Sequence, residues 1–435
     1  MTSPRVIVAG ATTAITRRTT LRKAFLGPWD PLVQQCWLYA LADAQRQTGV
    51  AIHHGVLVVN HEHLTVTPSE DNLPEFVRRL HRDVSCAINT LLIAQRYDAP
   101  RELFDKRAAH CQRLCDHAAQ AIRLVYDHVN CVAAGLVERP EHMPGSVFGF
   151  SLWSRGYLDV RRPEVFFSQD ERARPEVIRM QVTPPPLLYE AFDGDMEKLV
   201  YWMTRLSEEA TQRVRSARTR PALGARAVTR LHPWSEPRSL REPGGRRIPS
   251  FSIGARGADG HRQNIQASLE VRAFRTHYRE VRLRRRAGGQ RGIRARFPFG
   301  TYAMRAVHGA PTEETPAPDA IVTQPGPLLS HVQTRLREVS APSERRVDLL
   351  DSLRAQLAQD SRSFDASACT DFVSARAEVT ESARDVRTSH RFARGTHDPA
   401  DQAGPDAARR LIVLRDRRMG RPARKAPRHS ADPPV

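Results

Sequence analysis

Long apolar runs are missing from this sequence of 435 residues. No stretch approaches the roughly 20 residues that cross a bilayer, and the N-terminus lacks the apolar centre of a secretion signal. A soluble, cytoplasmic protein is therefore expected. Cysteine is scarce: Cys36, Cys86, Cys111, Cys115, Cys131 and Cys369 show no framework spacing, which excludes a disulfide scaffold and suits reduced thiols. Lysine is nearly absent, with 4 among 67 basic residues, so the formal charge of +19 is carried by arginine. Such a charge points to an anionic partner, most commonly nucleic acid. GC-rich coding produces the same arginine skew without selection for binding, so composition alone does not decide between them. No internal repeat is present.

What charge there is falls unevenly. Residues 1–150 hold 16 basic and 14 acidic side chains, the balance of an ordinary globular domain, whereas 205–310 hold 24 arginines against 7 acids. The second segment has the charge to lie along a phosphate backbone. From 311 to 435 Pro, Ala, Ser, Asp and Arg dominate, with short apolar clusters such as "RRVDLLDSLRAQL" and "RRLIVLRDRR". That composition predicts a mostly disordered tail with one or two transient helices. Three regions are thus expected: a catalytic domain over 1–150, a basic, arginine-rich helical accessory region over 151–310, and the tail.

Within 1–150, "RVIVAGATTAITRRT" reads as a strand, and "DPLVQQCWLYALADAQRQTG" as a helix closed by Gly49. "VAIHHGVLVV" and "HEHLTVT" read as a strand pair joined near Asn60. "SEDNLPEFVRRLHRDVSCAINTLLIAQ" is an amphipathic helix with Ser69 or Asp71 as its cap, and "HAAQAIRLVYDHVNCVAAG" a further helix ending at Gly135. This order predicts an α+β fold, a small antiparallel sheet with helices on one face.

Two features carry chemistry. Side chains alternate across a strand, so His61 and His63 project together while Glu62 points away. Tyr126 and Asn130 stand four residues apart and share a helix face. If that face covers the histidine strand, two imidazoles and an amide oxygen can hold a divalent cation, Mg²⁺ or Mn²⁺, with positions left for a phosphate. The cation offsets charge building on a nonbridging oxygen and favours the phenolate of Tyr126, whose pKa is ordinarily about 10. Attack on a phosphodiester then leaves a covalent phosphotyrosine.

At these residues the chain resembles the HUH single-tyrosine transposases. "NHEHL" is similar to their His-hydrophobic-His signature, and "YDHVNCVAAGLVERPE" resembles the Y-I-H-x-N-P-V-R-A-G-L-V segment of the branch associated with repetitive extragenic palindromes. The resemblance begins at "ITRRT" and covers roughly residues 1–150, and two motifs in the expected order are more specific than either alone. It implies a ferredoxin-like antiparallel sheet, His61, His63 and Asn130 as metal ligands, and Tyr126 as nucleophile. It also implies a bacterial protein acting on single-stranded DNA, often beside a hairpin, through a 5′-phosphotyrosine. Relatives act as monomers or homodimers. Two departures stand out: Glu62 replaces a bulky apolar residue, and Cys131 replaces a proline. An alternative is a catalytically inactive DNA-binding protein derived from such an enzyme.

Other candidates have plainer readings. "HCQRLCDH" offers His110, Cys111, Cys115 and His117, but lacks a second cysteine pair, so a helix face is expected there. His53 and His54, adjacent on a strand, should point oppositely. Tyr97 is a reserve nucleophile in a loop. In the arginine-rich segment, Arg282, Arg284, Arg285 and Arg286 are candidate DNA contacts, and Phe274, Tyr278, Phe297, Phe299 and Tyr302 either stack on bases or form a minor core. Arg17, Arg18, Arg22 and Lys23 are candidates nearer the catalytic domain.

Overall fold

The computed structural model describes residues 6–236, 250–255 and 257–314. The expected tail falls outside the described residues from 315 onward, together with its two apolar clusters. The elements run β1 (Thr13–Arg18), α1 (Pro31–Thr48), β2 (Ala51–Val58), β3 (His61–Thr67), α2 (Leu73–Ala94), β4 (His110–Leu114), α3 (His117–Ala133), α4 (Leu152–Arg155), β5 (Tyr157–Arg161), β6 (Val177–Gln181), α5 (Pro186–Glu190), α6 (Met196–Ala217), α7 (Ala225–Val228), β7 (Phe251–Ser252) and α8 (Gly257–Ala287). Among them no helix is long and apolar enough to cross a membrane.

The fold is mixed α+β. One sheet has the order β2-β3-β1-β4-β7, antiparallel except for the two-residue parallel pairing of β7 with β4. A separate antiparallel hairpin, β5–β6, packs on α1, and α6 packs on α3. The region expected to be helical therefore also contributes strands.

Local chemistry explains most boundaries. β1 starts later than its β-branched run suggests because Gly10, at φ 76°, turns the chain. Asp30 caps α1 by accepting from the Leu32 N–H at 2.8 Å, Pro31 suits the first helical position, and Gly49 at φ 67° ends the helix. The expected α2 cap, Ser69 or Asp71, is not used. Asn72 occupies the N-cap, but its side chain donates to the Thr48 carbonyl at 2.8 Å, and Asp71 pairs with Arg305. The helix expected over "HCQRLCDH" is instead strand β4 followed by the start of α3. Its five residues lack a clean alternation, and the unpaired edge of β1 supplies the hydrogen bonds that decide the matter.

Helices cover both faces of the sheet, which corrects the one-face expectation. Register puts Ile15, Arg17, Glu62 and Leu64 on one face, and Thr16, Arg18, His61 and His63 on the other. The first face meets α1 and α2: Trp37 and His81 both reach Glu62, and Ile15, Leu64, Phe76 and Trp37 are fully buried. The second meets α3, where Val56 and Val58 pack with Cys131 and Val132. The helix on that face covers Val56 and Val58 of β2, apolar side chains that pair across the sheet with His63 and His61 and would otherwise meet water.

Arg174 fastens the loop after β5 to the helical layer. It donates to Asp43 of α1 and Asp83 of α2, each at 2.6 Å, and both carboxylates are nearly inaccessible. Arg174→Ala leaves two buried charges short of a partner. A loss of about 3 kcal/mol in unfolding free energy is expected from chemical denaturation; a change under about 0.5 kcal/mol would show that the neighbouring Arg46 and Arg82 suffice.

Candidate active site

Helix α3 is aimed by its cap. The Asp116 carboxylate accepts the Ala119 N–H at 2.6 Å and also the backbone of Gly254, which ties the helix start to the chain beside β7. One face of α3 then presents Arg123, Tyr126, Asp127 and Asn130, positions i, i+3, i+4 and i+7, to the sheet. Opposite them stand the cross-strand pairs Arg18 with His61 and Thr16 with His63.

The sequence-derived residues come together. The His61 and His63 rings lie edge to face with centroids 4.8 Å apart. His61 Nε2 is 3.0 Å from Asn130 Oδ1, and its Nδ1 is 2.7 Å from Asn60 Oδ1. Tyr126 places its ring 5.8 Å from that of His63 and hydrogen-bonds to Asn130. Arg123, Thr16 and Asp127 complete the group, and sequence reasoning passed over all three. Arg123 donates through Nε to Asp127 Oδ2 at 2.9 Å and through Nη2 to Thr16 Oγ1 at 2.8 Å, and its guanidinium lies 5.4 Å from the Tyr126 ring centre. The i, i+4 spacing of Arg123 and Asp127 around the tyrosine was the available signal.

Burial sets the electrostatics. It pulls the His61 pKa down to about 4, with Arg18 adding to the effect, and holds His63 well below the ordinary imidazole value. Both rings are neutral near pH 7, as ligation requires. Burial also raises the Tyr126 pKa, partly opposed by Arg123 and Arg18, and lifts Asp127 to about 6 against the pull of Arg123.

The donor set fits a divalent cation. A neutral imidazole has one N–H, yet His61 stands between two amide oxygens. If Nδ1–H donates to Asn60, the Nε2 lone pair faces Asn130 Oδ1, and either an amide is turned or a cation lies between them. His63 Nε2 is buried without a hydrogen-bond partner. Among the described residues no three His, Cys, Asp or Glu side chains form a metal cluster. That includes the quartet His110, Cys111, Cys115 and His117.

The two motif departures are accommodated. Glu62 is fully buried on the opposite face, where Trp37 Nε1 donates to Oε2 at 2.6 Å and His81 Nε2 pairs with Oε1. Glu62→Leu strands the indole N–H and the imidazole. It is expected to cost about 1–3 kcal/mol by thermal or chemical unfolding while leaving the His61 and His63 face unchanged; an unaltered stability would mean those groups find other partners. Cys131 is buried, its thiol pKa raised to about 12, and α3 continues past it to Ala133.

The remaining candidates separate. Tyr97 packs against Trp29 and His232 rather than the histidine pair. A β-bulge between Ile52 and His54 breaks strict alternation: His53 contacts Thr67 Oγ1 and the Thr183 carbonyl, and His54 stacks on Phe150 beside His128. Arg18 is exposed at the rim of the site, whereas Arg17 turns its guanidinium to the carbonyls of Asp105 and Arg107 on the other face. Arg22, partly buried, follows in the short turn after β1. Lys23 is buried and paired with Glu236, which removes it from the residues free to meet DNA. On α8, Arg284 and Arg286 are exposed, Arg282 and Arg285 partly buried. Phe274 and Phe297 are buried, with Tyr278 against Phe297, so these aromatics build a minor core rather than a stacking platform. Phe299 and Tyr302 are half-buried.

No family model matches the chain, and no curated protein matches it. A solved structure described as a REP-associated tyrosine transposase bound to a REP hairpin is similar to this chain at 17% sequence identity and a TM-score of 0.29, covering 39% of this chain and 95% of that one. A likeness at that TM-score carries no argument.

Proposed function

We propose that this protein cleaves and rejoins single-stranded DNA in the manner of the HUH single-tyrosine transposases, with residues 1–150 as a ferredoxin-like catalytic domain. The observation that carries the reading is the meeting of four side chains: His61 and His63 from one strand, Tyr126 and Asn130 from a helix some sixty residues later. The sequence resemblance assigns roles to those same four.

In this reading His61, His63 and Asn130 hold Mg²⁺ or Mn²⁺. Such an ion, when bound, draws charge from a nonbridging phosphate oxygen and lowers the cost of ionising a nearby phenol. Tyr126 Oη attacks phosphorus, giving its proton to solvent. The bond to the 3′ oxygen breaks, that oxygen takes up a proton, and the 5′ phosphate stays on the tyrosine. The reverse attack by a 3′ hydroxyl rejoins a strand without outside energy. Arg18 at the rim is suited to a nonbridging oxygen, and Arg284 and Arg286 on α8 to the flanking backbone. DNA, single-stranded or hairpin, is the partner.

Covalent capture tests the proposal. The full chain, mixed with hairpin-bearing single-stranded DNA and Mn²⁺, should give an adduct that survives denaturation, and chelation should remove it. A second reading, a noncatalytic DNA-binding protein, is favoured by the raised Tyr126 pKa and the exposed arginines. It gives a salt-sensitive mobility shift and no adduct.

A further inference from the structure

We infer that α8 carries a docking site for double-helical DNA, a stripe of arginines at Arg272, Arg275, Arg279, Arg282 and Arg286 that grips the sugar-phosphate backbone whatever the base sequence. The inference extends the flanking contact proposed for Arg286, lies outside residues 1–150 and needs neither the cation nor Tyr126.

Spacing makes the stripe. Positions i, i+3, i+7, i+10 and i+14 fall on one side of an α-helix. Arg272, Arg279 and Arg286 are exposed, and Arg275 and Arg282 run beside them partly buried. No acid interrupts the row. Between 261 and 287 the acids are Glu270 and Glu280, which stand on other faces of the helix and pair with Arg113 and Arg284. Among the described residues none of Arg272, Arg279 and Arg286 forms an ion pair. Behind the row, α8 is fastened to the rest of the fold by the Glu270–Arg113 pair at 2.9 Å and by Val281, packed against Phe297 and Ala310. The guanidinium groups therefore stand along one fixed line.

Length, charge and composition select the partner. A helix rises about 1.5 Å per residue, so the three exposed arginines span about 21 Å, roughly six base pairs at about 3.4 Å each. Duplex DNA carries one charge per about 1.7 Å of axis, twice the density of a single strand. Single-strand sites add aromatic side chains on which bases stack; here Phe274 is buried in the core and Tyr278 lies against Phe297. The major groove of B-form DNA, about 12 Å wide, admits a helix, whereas that of A-form RNA is deep and narrow. An anionic membrane is the other extended polyanion. A helix lying in a membrane surface presents a continuous apolar face, yet the exposed Ile265 and Leu269 are separated from Leu283 by Arg272, Thr276 and Arg279.

Anisotropy titrations of the full chain on a blunt-ended DNA duplex test the site. The variant carrying Arg272→Gln, Arg279→Gln and Arg286→Gln changes only exposed side chains. It should bind at least about 10-fold more weakly at low salt, and the slope of log K against log salt should fall by about 2.7, alike on two duplexes of unrelated sequence. Removing the same charge at the exposed Arg172, Arg226 and Arg230 should leave the affinity nearly intact. Adduct formation on a short single strand should be unchanged in the stripe variant, so the docking site and the proposed chemistry fail separately. Equal duplex affinity in the wild type and the stripe variant overturns the inference, and so does an equal loss in the control variant. Duplex RNA bound as tightly as duplex DNA overturns it too. A stripe variant that loses phosphatidylglycerol vesicles but keeps the duplex assigns the row to a membrane instead and overturns it.

Discussion

Tyr126→Phe is expected to abolish the denaturant-resistant adduct with hairpin DNA, a loss of at least about 10³-fold in its rate of formation, because the substitution removes the attacking oxygen itself. Little else should change. The ring keeps its contacts with His63 and Arg123, and the lost hydroxyl gives up one hydrogen bond to Asn130, worth about 1 kcal/mol. Noncovalent DNA binding should persist. Tyr97→Phe is the control, since Tyr97 lies against Trp29 and His232. An adduct undiminished in Tyr126→Phe, or lost in Tyr97→Phe, would transfer the role elsewhere.

Acid is expected to unfold the protein between pH 6.5 and 4. Burial holds the His53 and His128 pKa values down at about 4, against 6.5 for an exposed imidazole. Below pH 6.5 the unfolded chain takes up protons that the folded one refuses, so stability present at pH 7 falls until the folded pKa is reached. A gap of about 2.5 units is about 3 kcal/mol for each ring. His61, with the same folded value, acts in the same direction, as do His54 and His63, which are held well below 6.5. Asp127 opposes them. Its folded pKa, raised to about 6, lies above the ordinary 3.8, so the folded state binds that proton first and gains about 3 kcal/mol as pH falls from 6 toward 4. The net is a loss of at least about 3 kcal/mol, a large share of a typical stability. Denaturant titrations at pH 7, 5.5 and 4.5 measure it, and a flat profile would contradict the burial of these rings. Saturating Mn²⁺ should shift the loss to lower pH if His61 and His63 are ligands.

Much of this architecture was legible in the chain itself. The strand pair around Asn60, the helix closed by Gly49 and the helix ending at Gly135 follow from patterns spanning a few residues, where turn chemistry and periodicity act locally. The shared face of His61 and His63, and that of Tyr126 and Asn130, are likewise consequences of strand and helix geometry. Strand β4 was hidden because its pairing with β1 lies nearly a hundred residues away in sequence. The α2 cap was misplaced because Asn72 and Asp71 are taken by Thr48 and Arg305.

What the sequence by itself determined, then, was the inventory and spacing of chemically able groups, each carried on an element whose period is a local backbone property. Only the tertiary structure decided that α3 covers the histidine face while α1 and α2 cover the other. It alone gave Glu62 its buried partners, drew Lys23 inward and set Asp127 behind His63. Those outcomes depend on which distant surfaces bury each other, and a buried polar group takes whatever partner the packing brings within reach.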